Sequence, residues 1–185
     1  GIPYASFGLV WKEYGQELSG GEREAQLVDV RLVQPIDAHD NGVFIAEYKF
    51  ADVRDYTIGD FLYSFIESRD QERLNETFLK VVALAKDLLV REITNAKNSI
   101  VNEDKILALY NETSDKRIIV LPAELYEWRN VLGKTSEALY AIHPRPDGKW
   151  SLGCVPDLSK PYGANRKPLP ASWAGKKDQE LETVT

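Results

Sequence analysis

Two aspartates three residues apart, Asp37 and Asp40, are the side chains of this sequence best suited to chemistry. They lie in the segment Ile36–Gly42, which also contains His39 and Asn41. Carboxylate, imidazole and amide groups are the donors that hard or borderline divalent cations accept. A metal site that activates water needs several such groups, from different segments of the chain. The segment can supply two carboxylate ligands to a site of this kind.

The same segment has an ordinary structural interpretation. Asp-Asn-Gly is common turn chemistry, so one aspartate can cap a turn while the other is solvated. His39 is either a further ligand or a spacer that points elsewhere, because Asp37 and Asp40 would occupy the facing positions of a turn. With two histidines in the chain, a histidine-rich metal site cannot be built from this sequence.

A second group of candidate residues lies in the proline-rich loop Asn165–Gly175. Arg166 offers a bidentate fork for a phosphate, and Lys167 offers a point charge. Trp173 either stacks on a nucleobase or anchors the loop by burying its ring. The pattern therefore fits a substrate-binding loop or a surface loop held in place by its tryptophan.

Two more candidates, His143 and Arg145, flank Pro144 at the end of a predicted strand. Either side chain can contact a phosphate, and either can simply be exposed. We include both in the set of predicted substrate-binding residues. Cys154, in contrast, is most simply a small buried apolar residue.

Composition limits the classes of function. The 185 residues, 43% of them hydrophobic, suffice for one full-sized domain or two small ones. A net charge of −6 argues against a large basic surface that wraps duplex DNA, although a nucleotide or short single strand could still bind. A single cysteine predicts a reducing compartment. No apolar run has membrane-spanning length, so we expect no membrane partner.

Hydrophobic periodicity assigns most of the first hundred residues to helices. The predicted helices are Ala5–Tyr14 closed by Gly15, Glu22–Val33 ended or kinked by Pro35, one capped by Thr57, a long one over Glu72–Lys97, and a short one capped by Asn102. Val43–Arg54 has no clear pattern. On this assignment Asp37 and Asp40 lie just past a helix end, where the backbone is free to aim their side chains.

The pattern changes after about residue 105. The predicted strands are Arg117–Leu121, expected to be buried, Leu139–Ile142 and Trp150–Val155, with turn chemistry at Pro146–Gly148 between the last two. A short helix is expected within Glu124–Leu132, a loop over 156–170, and a helix from Asp178. The expected fold class is α/β, with α+β character in the C-terminal part.

Several ordered segments together resemble the melanocyte-proliferating-gene (Myg) family, a branch of the DHH phosphoesterases. Pro3–Gly15 resembles the segment that follows the family's Asp-His-His motif, and Ile36–Gly42 resembles its Asp-Asn-Gly motif. The middle and C-terminal signatures are matched by Arg117–Leu121, Trp128, Gly148–Trp150, Arg166–Pro170, Trp173 and Gly175. The resemblance extends nearly from end to end, in the family's order.

The resemblance implies a metal-dependent phosphodiesterase of the 3′–5′ exoribonuclease type. Its substrate would be RNA or a short oligonucleotide, and its cofactor a divalent metal, Mn²⁺ or else Mg²⁺. By the family pattern Asp40 is a metal ligand with a catalytic role, and Asp37 is a second ligand. Arg166 and Lys167 would then belong to the substrate-binding part.

The same resemblance implies that the sequence is incomplete. The family's His-Asn-Gly-x-Phe-His-x-Asp-Glu, Asp-His-His and late Gly-Phe-Ile-Gly segments are absent from these residues, as is any methionine. We expect residues 1–100 to be the rear part of a DHH-type domain with a linking helix. Residues 101–185 would form a truncated substrate-binding domain. We also expect this chain, by itself, to hydrolyse little or no RNA.

Two alternatives from other classes remain at this point. One is a nucleotide- or RNA-binding module without hydrolysis. The other is a dimerisation scaffold, a homodimer with the aromatic region around Phe61, Tyr63 and Phe65 as its interface. The expected compartment is the cytoplasm for a bacterial protein, and the mitochondrion or nucleus for a eukaryotic one, because the family occurs in both settings.

Overall fold

The computed structural model describes residues 1–50, 52–67, 70–160 and 163–184, without the side chain of Asp178. The chain divides into two compact units, Gly1–Ile100 and Val101–Thr185. The elements are α1 (Ser6–Ser19), α2 (Glu22–Val28), a π-helical turn (Asp29–Val33), α3 (Gln34–Asp40), α4 (Ile58–Tyr63), α5 (Gln71–Glu112), β1 (Ile118–Val120), α6 (Trp128–Lys134), β2 (Tyr140–Pro144), β3 (Trp150–Cys154), a 3₁₀ turn (Ala171–Trp173) and α7 (Asp178–Glu182). Helices combined with one small sheet confirm the expected α/β or α+β class, while the likeness to a DHH-type domain stays a prediction.

In the first unit, helix α1 is longer than the sequence predicts. Gly15 does not end it: this glycine lies inside the helix, where the ring of Trp11 occupies the space that a Cβ would need. The helix ends instead at Gly20, whose φ of 79° is the left-handed conformation that favours glycine. Trp11 belongs to the buried core of this unit, together with Val28, Val33 and Ala96.

Pro35 does not end the helix, so the prediction that Asp37 and Asp40 lie past a helix end is wrong. The chain runs from α2 through the π turn Asp29–Val33 into α3 without leaving helical geometry, and the N–H of Gln34 bonds to the carbonyl of Asp29, five residues back. Proline lacks an N–H, and its ring clashes with the carbonyl four residues earlier in a regular helix. The wider π turn comes just before Pro35 and relieves that conflict, so the aspartates of α3 lie in its helical turns rather than beyond them.

A segment without helix or strand among its described residues connects α3 to α4. The predicted cap at Thr57 is confirmed: its hydroxyl accepts a hydrogen bond from the N–H of Asp60, and the Asp60 carboxylate accepts one from the N–H of Thr57. This reciprocal pair satisfies two backbone donors at the start of the helix. Helix α4 ends at Tyr63, whereas the hydrophobic pattern predicts that it runs through Phe65 and Ile66.

The long predicted helix is confirmed and is longer than expected. Helix α5 runs from Gln71 to Glu112 and includes the region assigned to a separate helix starting at Asn102. Asn102 is therefore not a cap; its amide nitrogen donates to Oε2 of Glu127 at 3.0 Å. No helix in the described ranges is long and apolar enough to span a lipid bilayer.

The second unit is built on a three-stranded sheet in the order β1-β2-β3. Strands β1 and β2 are parallel, with α6 in the connection between them, and β2 and β3 form an antiparallel pair. Ile119, Ala141 and Leu132 are buried in the core between sheet and helices. The three predicted strands are confirmed, but β1 is not fully buried, because of its three residues only Ile119 is inside.

Candidate functional site

The last turns of helix α3 hold Asp37, one of the two candidate metal ligands, inside the protein. Its side chain is 1% exposed, and its Oδ1 accepts a hydrogen bond from the N–H of Gly8 at 3.1 Å. Its Oδ2 is buried as well and has no hydrogen-bond partner among the described residues. A buried carboxylate oxygen without a partner is costly, so the site is well matched to a positively charged ligand.

Gly8 is the residue that makes room for this carboxylate. A Cβ at position 8 would collide with Oδ2 of Asp37 and with the ring of Tyr4. Helices α1 and α3 can therefore approach each other, with the carboxylate between them, only because position 8 has no side chain. The sequence shows a glycine inside an apolar helical pattern here, which is a recognised signal of close backbone approach.

The Asn-Gly that follows Asp40 ends the helix and fixes its position. Nδ2 of Asn41 donates to the carbonyl oxygens of Pro3 and Asp37, each at 2.9 Å. Gly42 has a φ of 67°, and its N–H bonds to the carbonyl of His39. The turn chemistry predicted for Asp-Asn-Gly is thus present, as a helix C-terminus held against the segment before α1.

Asp40 and His39 line a cavity of about 1380 Å³ in the first unit. Its other lining residues are mostly apolar and come from the segment after α3, from α4 and from α5, and they include Phe44 and Phe61. Asp40 is exposed to this space, whereas Asp37 is not among the lining residues. His39 also faces the cavity, which differs from the prediction that it points elsewhere as a spacer.

One carboxylate near this cavity is held firmly in its charged form. Asp60 also lines the space, and the guanidinium of Arg54 bonds to it at 2.6 and 2.7 Å. This pair, followed by the hydrogen bonds from Thr57, holds the pKa of Asp60 well below its ordinary value of 3.8. Asp60 therefore stays ionised at neutral pH, but it is already paired with a cation.

The fit to a metal ion is partial. The unpartnered Oδ2 of Asp37 and the exposed carboxylate of Asp40 are donors that suit a hard divalent cation. Across the described ranges, however, no cluster of three or more His, Cys, Asp or Glu side chains could hold a metal ion. The residues described supply at most part of a coordination sphere, so no chemical step through a metal follows from them.

In the second unit, Arg166 holds the protein's own backbone together. Its Nη2 donates to the carbonyl of Gly133 at 2.6 Å, and its Nη1 donates to the carbonyl of Ala138 at 3.1 Å. Gly133 is in the last turn of α6, where carbonyls lack helical partners, so the guanidinium caps that helix. Its predicted role in phosphate binding remains a prediction, and Lys167 beside it is exposed.

The other three predicted substrate-binding residues lie in different settings. The ring of His143 is buried beside Trp128, with ring centres 6.2 Å apart. Arg145 is exposed and forms an ion pair with Asp147 at 3.1 Å. Nε1 of Trp173 donates to the carbonyl of Val184 at 3.1 Å, which fits the interpretation of this ring as a loop anchor.

The chain is identified as a member of the family described as "Uncharacterised protein family (UPF0160)", because that family's model, MYG1_exonuc, matches residues 1–185. This confirms the Myg resemblance. The chain is also 24% identical over 215 residues to "MYG1 exonuclease" from Rattus norvegicus. The match covers 98% of this chain and 54% of the rat protein, so the chain spans about half the length of that relative. No solved structure matches.

Proposed function

We propose that this chain contributes to a metal-dependent nuclease that hydrolyses phosphodiester bonds in RNA or short oligonucleotides. Family membership over the whole chain supports the proposal, as does the name of the rat relative, which describes an exonuclease. The 3′–5′ direction and the preference for Mn²⁺ belong to the proposal, as the family resemblance implies them.

The observation that carries the proposal is the buried, unpartnered Oδ2 of Asp37. A buried carboxylate oxygen that receives no hydrogen bond has a desolvation cost, and a cation bound next to it would offset that cost. Asp40 lies about one helical turn later, so the two side chains are neighbours along one side of α3, Asp37 buried and Asp40 exposed. We assign both to the divalent ion, with the remaining ligands from motifs that these 185 residues do not contain.

A divalent ion bound there would supply a hydroxide from water and neutralise charge on the scissile phosphate. The described residues perform supporting tasks. The N–H of Gly8 orients the Asp37 carboxylate, and Asn41 holds the end of α3 in place. Substrate contacts are assigned to Arg145 and Lys167, the two predicted residues of the second unit whose side chains are exposed.

The first test is metal binding by the chain itself, measured by isothermal titration calorimetry with Mn²⁺. Asp37→Asn and Asp40→Asn should each weaken binding about tenfold or more, because each removes a charged ligand. Asp52→Asn is the matched control, since Asp52 is an exposed aspartate of the same unit that does not line the cavity. Equal Mn²⁺ affinity in all four proteins would contradict the assignment of ligands.

The second test is hydrolysis of end-labelled single-stranded RNA in the presence of Mn²⁺. In a protein that carries the complete set of family motifs, Asp40→Asn should lower kcat far more than it changes substrate affinity. The present chain should produce little product. Rapid Mn²⁺-dependent turnover by this chain would show that its residues suffice, and unchanged kcat in Asp40→Asn would refute the catalytic role of Asp40.

A further inference from the structure

One face of the sheet in the second unit is apolar and open. Cα pairing places Val120, Ile142 and Leu152 side by side across the three strands, and Pro144 next to Trp150. Residues on one face alternate with those on the other. The opposite face contains Ile119, Ala141 and His143, all buried in the core. On the open face Trp150 is 59% exposed and Val120 is 55% exposed.

The far end of this open face is closed by the protein's own loop. The hydroxyl of Tyr140 donates to the carbonyl of Pro168 at 3.4 Å, and Cys154, its partner across the strands, is buried. The uncovered part is therefore the end near Trp150. There the turn residue Lys149 is exposed next to the tryptophan, whereas Lys167 is exposed next to Pro168, at the closed end of the face.

Charge is distributed very unevenly along the chain. Residues 1–100 carry the entire net charge of −6, while residues 101–185 are neutral overall. The stretch 138–177, which supplies β2, β3 and the loop after them, contains seven Lys or Arg and two Asp or Glu. The same stretch, with its net charge of +5, contains the exposed ring of Trp150. Positive charge together with an exposed aromatic ring is a combination that binds single-stranded nucleic acid by stacking and by phosphate contact.

We infer that the open face of this sheet binds single-stranded nucleic acid, with Trp150 stacking on a base and Lys149 and Lys167 contacting phosphates. The choice of ligand rests on the proposed nuclease function. The face itself is recognised from strand register, exposure and charge. This assignment adds residues to the substrate-binding set that sequence analysis did not include: Val120, Ile142, Lys149, Trp150 and Leu152.

A second copy of the chain fits this face poorly. A twofold contact brings the same patch of both copies together, so each +5 stretch would meet its own like charge. The uncovered apolar area is on the order of 400 Å², compared with roughly 800 Å² per partner in a standard interface. A polyanion with stacking bases complements both the charge and the size of the face.

The test measures fluorescence anisotropy of a labelled oligouridylate of about 12 nucleotides in the presence of EDTA. EDTA separates binding from any metal-dependent cleavage. Trp150→Ala should weaken binding about tenfold or more, and Trp150→Phe should keep most of the affinity because a ring remains. The matched control is Tyr126→Ala, since Tyr126 is 79% exposed in the same unit but lies outside the strands.

A second variant protects the test against misfolding of the first. Val120→Glu keeps Trp150 and places a negative charge on the open face, so it should also weaken binding about tenfold or more; circular dichroism checks that each variant is folded. Equal affinity of the parent and Trp150→Ala would overturn the inference, as would no binding by the parent or equal losses in Tyr126→Ala. It would also be overturned by a parent dimer, seen by light scattering, that Val120→Glu dissociates without any effect on RNA.

These results separate the inference from the proposed function. RNA bound through Trp150 without a Mn²⁺ site at Asp37 and Asp40 would support the sheet face and refute the metal assignment. Mn²⁺ binding at the aspartates, with RNA affinity unchanged in Trp150→Ala, would support the metal assignment and refute the binding of RNA by the sheet face.

Discussion

At the scale of single residues, the contact between Gly8 and Asp37 shows how a buried carboxyl group is positioned. The carboxylate has one backbone hydrogen bond and one bare oxygen, and it sits in space that exists only because position 8 lacks a Cβ. A glycine in a helix interior lowers stability by about 1 kcal/mol relative to alanine. The placement of the Asp37 carboxylate thus has a measurable cost in helix stability.

Gly8→Ala should destabilise the first unit by about 1–2 kcal/mol, because the collision with Asp37 outweighs the gain in helix propensity. The control is Gly59→Ala in α4, where a Cβ would approach no atom closer than 3.4 Å. That substitution should leave stability unchanged or raise it by up to about 1 kcal/mol. Urea denaturation measures both; an increase in stability for Gly8→Ala would show that α1 and α3 can separate without cost.

At the scale of elements, the reciprocal hydrogen bonds between Thr57 and Asp60 should stabilise the start of α4. Thr57→Ala removes the acceptor for the N–H of Asp60 and should lower stability by about 1 kcal/mol. Thr57→Ser is the matched control, because it retains the hydroxyl and should lose much less. Thermal unfolding of the two variants compares them directly, and equal losses would mean that the hydroxyl of Thr57 does not cap this helix.

Because of the ion pair between Asp60 and Arg54, the free energy of unfolding should depend on pH. The pKa of Asp60 is lower in the folded state than its ordinary value of 3.8, so its stabilising effect is complete above that value and is lost as the pH falls below it. Asp60→Asn should therefore be less stable than the parent at pH 7, with a smaller difference at pH 2. A difference in melting temperature that does not shrink in acid would contradict this role.

The sequence predicts elements better than it predicts where they end. The three strands, the cap at Thr57 and the long helix are visible in it, because alternation, capping chemistry and helical periodicity are local signals. Neither Gly15 nor Pro35 ends its helix. Gly15 lies inside α1 beside the ring of Trp11, and Pro35 follows a π turn. Both outcomes depend on side-chain packing and backbone geometry within a few residues, which the hydrophobic pattern does not describe.

The candidate site is less predictable from sequence than the fold. Residue types single out Asp37 and Asp40 as acidic donors, but only the packing of α1 on α3 shows which oxygen is buried and unpartnered. Arg166 looks like a phosphate ligand in the sequence, whereas its guanidinium contacts two backbone carbonyls. The open face around Trp150 was missed, although alternation in β3 already placed Trp150 and Leu152 on one side.

At the scale of the whole molecule, the separation of charge predicts how RNA binding responds to salt. Binding through phosphates should weaken linearly in a plot of log affinity against log salt, with a slope of about −0.7 per phosphate contact. Lys149→Ala and Lys167→Ala should each make the slope shallower by about that amount. Lys105→Ala is the control, since Lys105 is exposed on α5, which packs against the other face of the sheet. An identical slope in all variants would exclude these lysines from phosphate contact.

The π turn between α2 and α3 has a consequence for the evolution of this chain. Residues that follow it are rotated about the helix axis compared with an uninterrupted helix, by roughly 100° for each residue inserted. Removing a single amino acid from Asp29–Val33 would restore the regular repeat without turning Asp37 and Asp40 about the axis, but it would bring the ring of Pro35 against the carbonyl four residues before it. Descendants of this sequence that keep Pro35 should therefore keep the length of Asp29–Val33, even where its residues are substituted.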